Sequence, residues 1–248
     1  MADRTGIGWT DATWPVVTGC TRVSPGCVNC YAERMTATRL RHLPRYAGLA
    51  AMTPHGPRWT GDLRENPEVL DWPRKWRKPR RIFVADMGDL FHEAVSERYI
   101  AEVLGVMADC PRHTFQVLTK RPGRMRCVLT ALGCPANVWT GVSVESQCWT
   151  GRLRDLRSTP SRVRFLSAEP LLGPLNFGGP GGLAGIHWLV VGGESGPGHR
   201  PCEIEWIASI VRQCREAGLP VYVKQDSGQL PGRQGRIPDE LWVKEWPA

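Results

Sequence analysis

Apolar residues along this chain come in two rhythms. Short β-rich runs occupy residues 81–86, 113–120, 137–143, 162–169, 186–194 and 220–225, and each ends in polar residues or glycine. Helical text separates them, most clearly at 96–109 and 203–218. In the second of these, Ile204, Ile207, Ala208, Val211 and Cys214 recur at helical spacing before Gly218. An earlier stretch, from Arg4 to Gly19, alternates apolar and small polar residues and closes on Val16-Val17-Thr18-Gly19, a first strand. Strand and helix in alternation predict a parallel sheet. With about seven strands, the expected fold is α/β, a (β/α) barrel or partial barrel of the triosephosphate isomerase type. The competing arrangement is an open doubly wound sheet. The 248 residues suit one domain, 1–248. Residues 43–80, broken by Pro44, Pro54, Pro57, Pro67, Pro73 and Pro79, read as an irregular basic insertion.

Between the first strand and a helix expected near 28–42 lies the densest chemistry. Cys20, Cys27 and Cys30 stand in a C-x6-C-x2-C array, and Ser24-Pro25-Gly26 supplies the turn that curls it. Cys30 opens the helix, where the positive end of the dipole is expected to lower its pKa and favour metal binding. The other six cysteines are scattered and read as small buried hydrophobes. In a barrel, reactive groups gather where the strands finish. Here those ends carry Asp86 and Asp89, Lys120 and Arg121, Ser143 and Glu145, Glu169, Glu194 and Ser195, Lys224 and Gln225.

No apolar run approaches the ~18 residues that a membrane helix needs. The first residues lack the apolar core of a signal peptide. The expectation is a cytoplasmic protein with reduced thiols and no membrane partner. A formal charge of +8 invites a polyanion without locating it. Residues 72–81 hold six basic side chains and two tryptophans. Arg74, Lys75, Arg77 and Lys78 would track phosphates while Trp76, like Trp72, offers a stacking face. The competing reading is a solvated linker whose tryptophans pack on the barrel.

The run from Gly19 to Glu33 resembles the signature of a phage- and prophage-associated family of unknown function, described as three-cysteine-motif proteins and similar to radical S-adenosylmethionine (SAM) enzymes. The resemblance continues through Asp86-Met-Gly-Asp-Leu-Phe-His-Glu, Leu118-Thr-Lys-Arg-Pro, Gly141-Val-Ser-Val-Glu and Ser167-Ala-Glu-Pro-Leu-Leu-Gly-Pro. It closes with Val191-Gly-Gly-Glu-Ser-Gly-Pro-Gly-His-Arg-Pro and Val223-Lys-Gln. The usual radical SAM loop is C-x3-C-x2-C, whereas the first gap here is six residues.

What the resemblance implies is a radical-SAM-like barrel whose three cysteines hold a [4Fe–4S] cluster, with SAM on the fourth iron and a one-electron reductant as partner. Ser143, Glu145 and Glu194 are then candidates for the cofactor, and Lys120, Arg121 and Lys224 for its carboxylate or another anion. A structural zinc site completed by Glu33, His42 or His55 is the alternative at the metal. The expected function is a radical-SAM-type enzyme that modifies or repairs nucleic acid. The rival is a non-catalytic, metal-stabilised protein that binds nucleic acid or a phage–host partner. The oligomeric state is not legible in the sequence.

Overall fold

The computed structural model describes residues 5–247. Arg4 and the first residues, read above for a strand start and a signal peptide, lie outside them. Seven strands form one parallel sheet: β1 (Ala12–Trp14), β6 (Arg81–Val84), β7 (Thr114–Thr119), β8 (Val138–Ser143), β9 (Val163–Ala168), β10 (Trp188–Gly192) and β11 (Val221–Gln225), side by side in that order. Two small antiparallel pairs stand beside it, β2 (Val17–Thr18) with β5 (Arg64–Glu65) and β3 (Ala50–Thr53) with β4 (Gly56–Trp59). The helices are α1 (Tyr31–Ala37), α2 (Trp72–Lys75), α3 (Glu97–Ala108), α4 (Pro122–Leu132), α5 (Arg152–Arg157) and α6 (Ile204–Glu216).

The strand order never reverses, which rules out the doubly wound alternative, whose defining feature is a switch point. Alternation along each strand builds two interiors. Ile82, Val84, Phe115, Val117, Leu189, Val191, Val221 and Val223 face the helices. The alternate positions Phe83, Phe165, Trp188, Val190 and Tyr222 point the other way and enclose Trp9. The Trp9 ring, just before the first strand, lies 4.9 Å from Phe83, 6.2 Å from Phe165 and 6.0 Å from Trp188. Side chains from strands at opposite ends of a flat sheet could not meet there, so the sheet is curled into a partial barrel. Among the described residues β1 and β11 do not pair. The seam is bridged instead by side chains, with Arg81 4.8 Å over the ring of Trp246 and that ring 5.0 Å from Tyr222.

The six runs from residue 81 onward all appear as strands, trimmed by a residue or two. Two local readings are corrected. The strand that enters the barrel is Ala12–Trp14, whereas Val17–Thr18 turns away to pair with β5. The insertion is also less irregular than its prolines suggest, because β3 and β4 form a hairpin in which Pro57 sits opposite Met52. A two-stranded ribbon has only edge strands, where a missing N–H is tolerated.

Gly141 on β8 points into the barrel beside Phe165, and a Cβ there would stand 2.3 Å from the ring. Gly141→Ala should therefore destabilise the fold by about 1–3 kcal/mol through overpacking. Chemical denaturation measures this, and an unchanged midpoint would mean that the lumen has room to spare.

Candidate metal centre

The cysteine loop leaves β2 through Gly19, which adopts φ +91° with its Cα against Asp62 and Leu63; a Cβ would approach the Asp62 carbonyl to 2.5 Å. From there the loop has no ladder of its own. Its polar groups are held instead by side chains from the ends of barrel strands. Arg121, immediately beyond β7, is buried. Its Nη1 lies 3.7 Å from Cys20 Sγ and 3.1 Å from Asp89, its Nη2 donates to the Thr21 carbonyl (3.2 Å) and hydroxyl (2.7 Å), and its Nε pairs with Glu93 at 2.8 Å. Asp89 also accepts from Thr119 and the Phe91 N–H, which ties the clamp to the tip of β7.

Two further strand ends repeat the pattern. Glu145, fully buried beyond β8, accepts from Arg152 at 2.8 Å and lies against Gly26, whose N–H is 3.4 Å from its Oε1. A Cβ at Gly26 would stand 3.0 Å from that carboxyl carbon, close enough to push the Glu145 side chain aside by a few tenths of an ångström. Glu194, beyond β10, accepts from Asn29 Nδ2 and the Arg200 N–H, both at 2.8 Å, and forms an ion pair with the Arg200 guanidinium at 2.5 Å. Burial alone would raise the Glu194 carboxyl, but hydrogen bonds from Arg200 and Asn29 hold it below its usual range. Arg200 also donates to the Pro25 carbonyl (3.0 Å), and Asn29 to that of Gly198 (2.8 Å). Gly196 (φ +104°) has no Cβ to obstruct the Arg34 guanidinium of α1.

Cys20, Cys27 and Cys30 are free and half-buried. Desolvation is the main influence on Cys20 and Cys30, and the neighbouring thiols add a small push in the same direction: Cys30 and Cys27 on Cys20, Cys27 on Cys30. Among the described residues no three His, Cys, Asp or Glu side chains are closed into a metal-holding group. The expected lowering of the Cys30 thiol is corrected. Cys30 does cap α1, and the Glu33 and Ala32 N–H groups and Lys120 favour its thiolate, but desolvation outweighs them and pushes the thiol up. Desolvation and Asp89 push Cys20 up to about 12 against the opposing pull of Arg121. The donor set nonetheless suits a thiophilic cluster: three sulfurs on one curled loop, with a guanidinium at Cys20 and an ammonium near Cys30.

The remaining candidates separate. Lys120 makes no ion pair among the described residues, and its charge is felt at Cys30. Lys224 is bound to Glu169 at 2.5 Å. Ser143 ends β8, its carbonyl accepting from Arg152 at 2.7 Å. Of the zinc-completing residues, Glu33 is fully buried and taken by Arg22 and the Trp59 N–H (2.7 Å), while His42 and His55 are exposed. His92 is a satisfied structural histidine: its Nδ1 accepts from the Ala94 N–H (3.1 Å), so Nε2 donates to the Thr21 hydroxyl (2.9 Å).

The basic segment lies at the other end of the barrel, leading into the start of β6. Trp76 is buried in the core with Arg80 5.1 Å over its ring, so its face is not offered to a base, which corrects that reading. Arg74 is bound to Asp71 and Asp109. Lys75, Arg77 and Lys78 are exposed. A cleft of about 500 Å³ at this same end, lined by Arg162, His187 and Gly218, is likewise remote from the cysteines. Sequence reasoning passed over Arg22, Asn29, Arg152 and Arg200. All four lie in or beside the quoted motifs, but only the fold shows what they grip.

Residues 4–238 match the model of a family described as a protein of unknown function, DUF5131. The chain belongs to the DUF5131 family. Among curated proteins nothing matches it. Solved structures of spore photoproduct lyase are similar. A mutant with alanine in place of a cysteine is 12% identical at TM-score 0.48, covering 91% of this chain and 59% of its own. A complex with dinucleoside spore photoproduct is 12% identical at 0.47, covering 77% and 58%. This DUF5131 chain thus spans under three-fifths of the length of those structures, and at such scores the likeness says nothing about substrate. No helix among the described residues is long and apolar enough to cross a membrane.

Two outcomes follow from the clamp and its surroundings. Arg121→Ala strands the buried Asp89 carboxylate and should cost about 3–5 kcal/mol of stability, read by urea unfolding. A loss under 1 kcal/mol would show that the clamp is not structural. Asp86, at the end of β6, has Oδ1 buried without a partner among the described residues, and burial raises its carboxyl to about 7 despite hydrogen bonds from its own N–H and Thr13. The folded state thus keeps a proton that the unfolded chain releases near pH ~4. Stability should fall as pH rises from about 4 to about 7. Asp86→Asn should remove that part of the slope, and parallel slopes in the two proteins would contradict it.

Proposed function

We propose that this chain is an iron–sulfur protein in which Cys20, Cys27 and Cys30 hold a [4Fe–4S] cluster, and that it is a radical-SAM-type enzyme modifying or repairing nucleic acid. The observation that carries the reading is the convergence of three strand ends, at Arg121, Glu145 and Glu194, on the loop that bears the thiols. A loop that needed only to connect β2 to α1 would have no use for three arginine pairs on buried carboxylates. With bound SAM, the cluster would supply one-electron cleavage of the sulfonium, using an external reductant.

The chain's own residues would divide that work. Arg121 holds Cys20 and Thr21 and favours the Cys20 thiolate. Glu145 and Glu194, proposed for the cofactor on sequence grounds, are positioning residues for Gly26 and Asn29. Lys120, with no carboxylate of its own, is the cation left for the cofactor's carboxylate. Lys224 reaches an anion only by sharing Glu169 or releasing it. Ser143 supports through its carbonyl. A second reading, a non-catalytic metal-stabilised binder of nucleic acid or of a phage–host partner, is favoured by the same commitments, since Arg121, Glu145 and Glu194 have little left to offer a ligand.

Anaerobically purified protein should be brown and contain iron with acid-labile sulfide. Cys27→Ala should bleach it and Cys148→Ala should not. Stoichiometric zinc without sulfide would overturn the cluster. Reduced protein mixed with SAM should slowly release 5′-deoxyadenosine, with Lys120→Met raising the SAM concentration needed while leaving iron in place. A loaded, reduced protein that neither binds nor cleaves SAM in the presence of nucleic acid would leave the binder.

A further inference from the structure

The open seam of the barrel carries a second polar site. A cavity of about 450 Å³ lies between the N-terminal segment at Gly6 and Gly8, the face of β11 at Tyr222 and Lys224, the loop at Arg233, and the C-terminal segment at Trp242 and Lys244. Three of its lining residues are cations and none is a carboxylate. Gly8 meets the Tyr222 hydroxyl so closely that a Cβ would stand 2.6 Å from it.

Lys244 is the unusual member. Its Nζ lies 3.3 Å from the centroid of the Trp242 ring and 4.5 Å from that of Tyr222, and it donates to the Val223 carbonyl. It has no ion pair among the described residues, while Lys224 beside it is already neutralised by Glu169. Even paired with Glu169, Lys224 adds its positive charge to the cost of holding the Lys244 ammonium, and an anion beside Lys244 would relieve that cost. Burial first, then the Lys224 charge, lowers the Lys244 pKa to about 8. A structural lysine at a seam would be expected to point its head at water; this one is held over two rings at the wall of a cavity large enough for a small ligand.

We infer that this seam cavity is a phosphate-binding site, in which Lys244 and Arg233 hold the phosphate of a nucleotide or of a nucleic-acid strand, with Lys224 shared between that phosphate and Glu169. The site deepens the nucleic-acid reading above, yet stands on residues separate from the cysteine loop. No residue of segment 72–81, the stretch whose composition suggested phosphate contact, lines it. Tyr222, whose hydroxyl burial pushes up, stays neutral and can donate. Arg233 is exposed at the mouth, Glu169 faces Lys224, and Glu245 turns to the Val221 N–H at 2.9 Å.

The test is calorimetry on the full chain at constant ionic strength with three probes: inorganic phosphate, a 5′-mononucleotide and a short single-stranded oligonucleotide. Lys244→Gln should weaken binding at least tenfold, Lys244→Arg should largely restore it, and Lys75→Ser with Arg77→Ser should leave it unchanged. Affinity should fall as pH rises past 8, because the ammonium is the form that binds. The Lys244 Cε resonance should titrate at higher pH once the site is saturated. Preference for the mononucleotide would mark a free nucleotide, and preference for the oligonucleotide a strand. Binding that is absent, or equal in wild type and Lys244→Gln, would overturn the site and leave Lys244 as a structural cap. Repeating the titration with Cys27→Ala separates the two proposals: binding retained without iron keeps the phosphate site whatever becomes of the cluster reading.

Discussion

The arrangement around the cysteines depends on one desolvated guanidinium. Arg121 has five N–H donors in a fixed fork, and the structure gives it Glu93, Asp89, the Cys20 sulfur and both oxygens of Thr21. A buried charge of this kind is tolerated only when nearly every donor is used. The constraint therefore runs both ways. The strand end fixes the arginine through Asp89, and the arginine fixes where the first cysteine can be. Lysine could not substitute, since a single point charge cannot reach a carboxylate, a carbonyl, a hydroxyl and a sulfur in one plane.

The same logic accounts for the arginine-rich composition near the loop. A loop built from proline, glycine and cysteine cannot satisfy its carbonyls with a backbone ladder, and half-buried carbonyls need donors. Arg121 serves Thr21, Arg200 serves Pro25, and Arg22 serves Val28 at 2.9 Å and Pro57 at 3.1 Å. Each of these arginines is in turn paired with a carboxylate: Asp89, Glu194 and Glu33. Apart from one 3-10 turn at Pro25–Cys27, the loop is thus held by these ion-paired arginines and not by a strand ladder. That is the pre-organisation a metal centre requires of its supporting residues.

Much of this was legible in the residues. The alternation of β-rich runs and helical text gave about seven strands of a parallel sheet, because periodicity reports burial, while the strand order and the place of the first strand came from the fold. Placing charged residues at the strand exits was also right as geography. Their roles were not legible, since a carboxylate at a strand end looks the same whether it faces a ligand or an arginine of the protein's own. Glu145 and Glu194 show the difficulty: partners seven and six residues away, Arg152 and Arg200, neutralise them, and nothing in the spacing says so. Trp76 shows the complementary one, since a tryptophan among basic residues can stack on a base or fill a core, and only packing decides. The hairpin of β3 and β4 was hidden because prolines signal breaks without saying whether a strand is at an edge.

Net charge is the weakest guide of all here, for a physical reason. Most of the cations near the cysteines are spent on carboxylates, so the excess of +8 is carried elsewhere. Part of it lies in Lys75, Arg77 and Lys78, exposed at the amino-terminal end of the strands, where the fold class places stability and not chemistry. Nearer the other end, Lys120, whose charge is felt at Cys30, and Lys244 at the seam are two cations that form no ion pair among the described residues. Those two lie on different walls of one partial barrel, the first beyond β7 and the second alongside β11. Between those walls the interior is filled by Trp9 and the aromatic side chains around it, so the two cations serve separate sites. Although β1 and β11 do not pair, the seam between them is walled by Arg81, Trp246 and Tyr222, and the C-terminal segment bridges to β11 at Lys244 and Tyr222, so Lys244 stands in a built wall and not at a free strand edge.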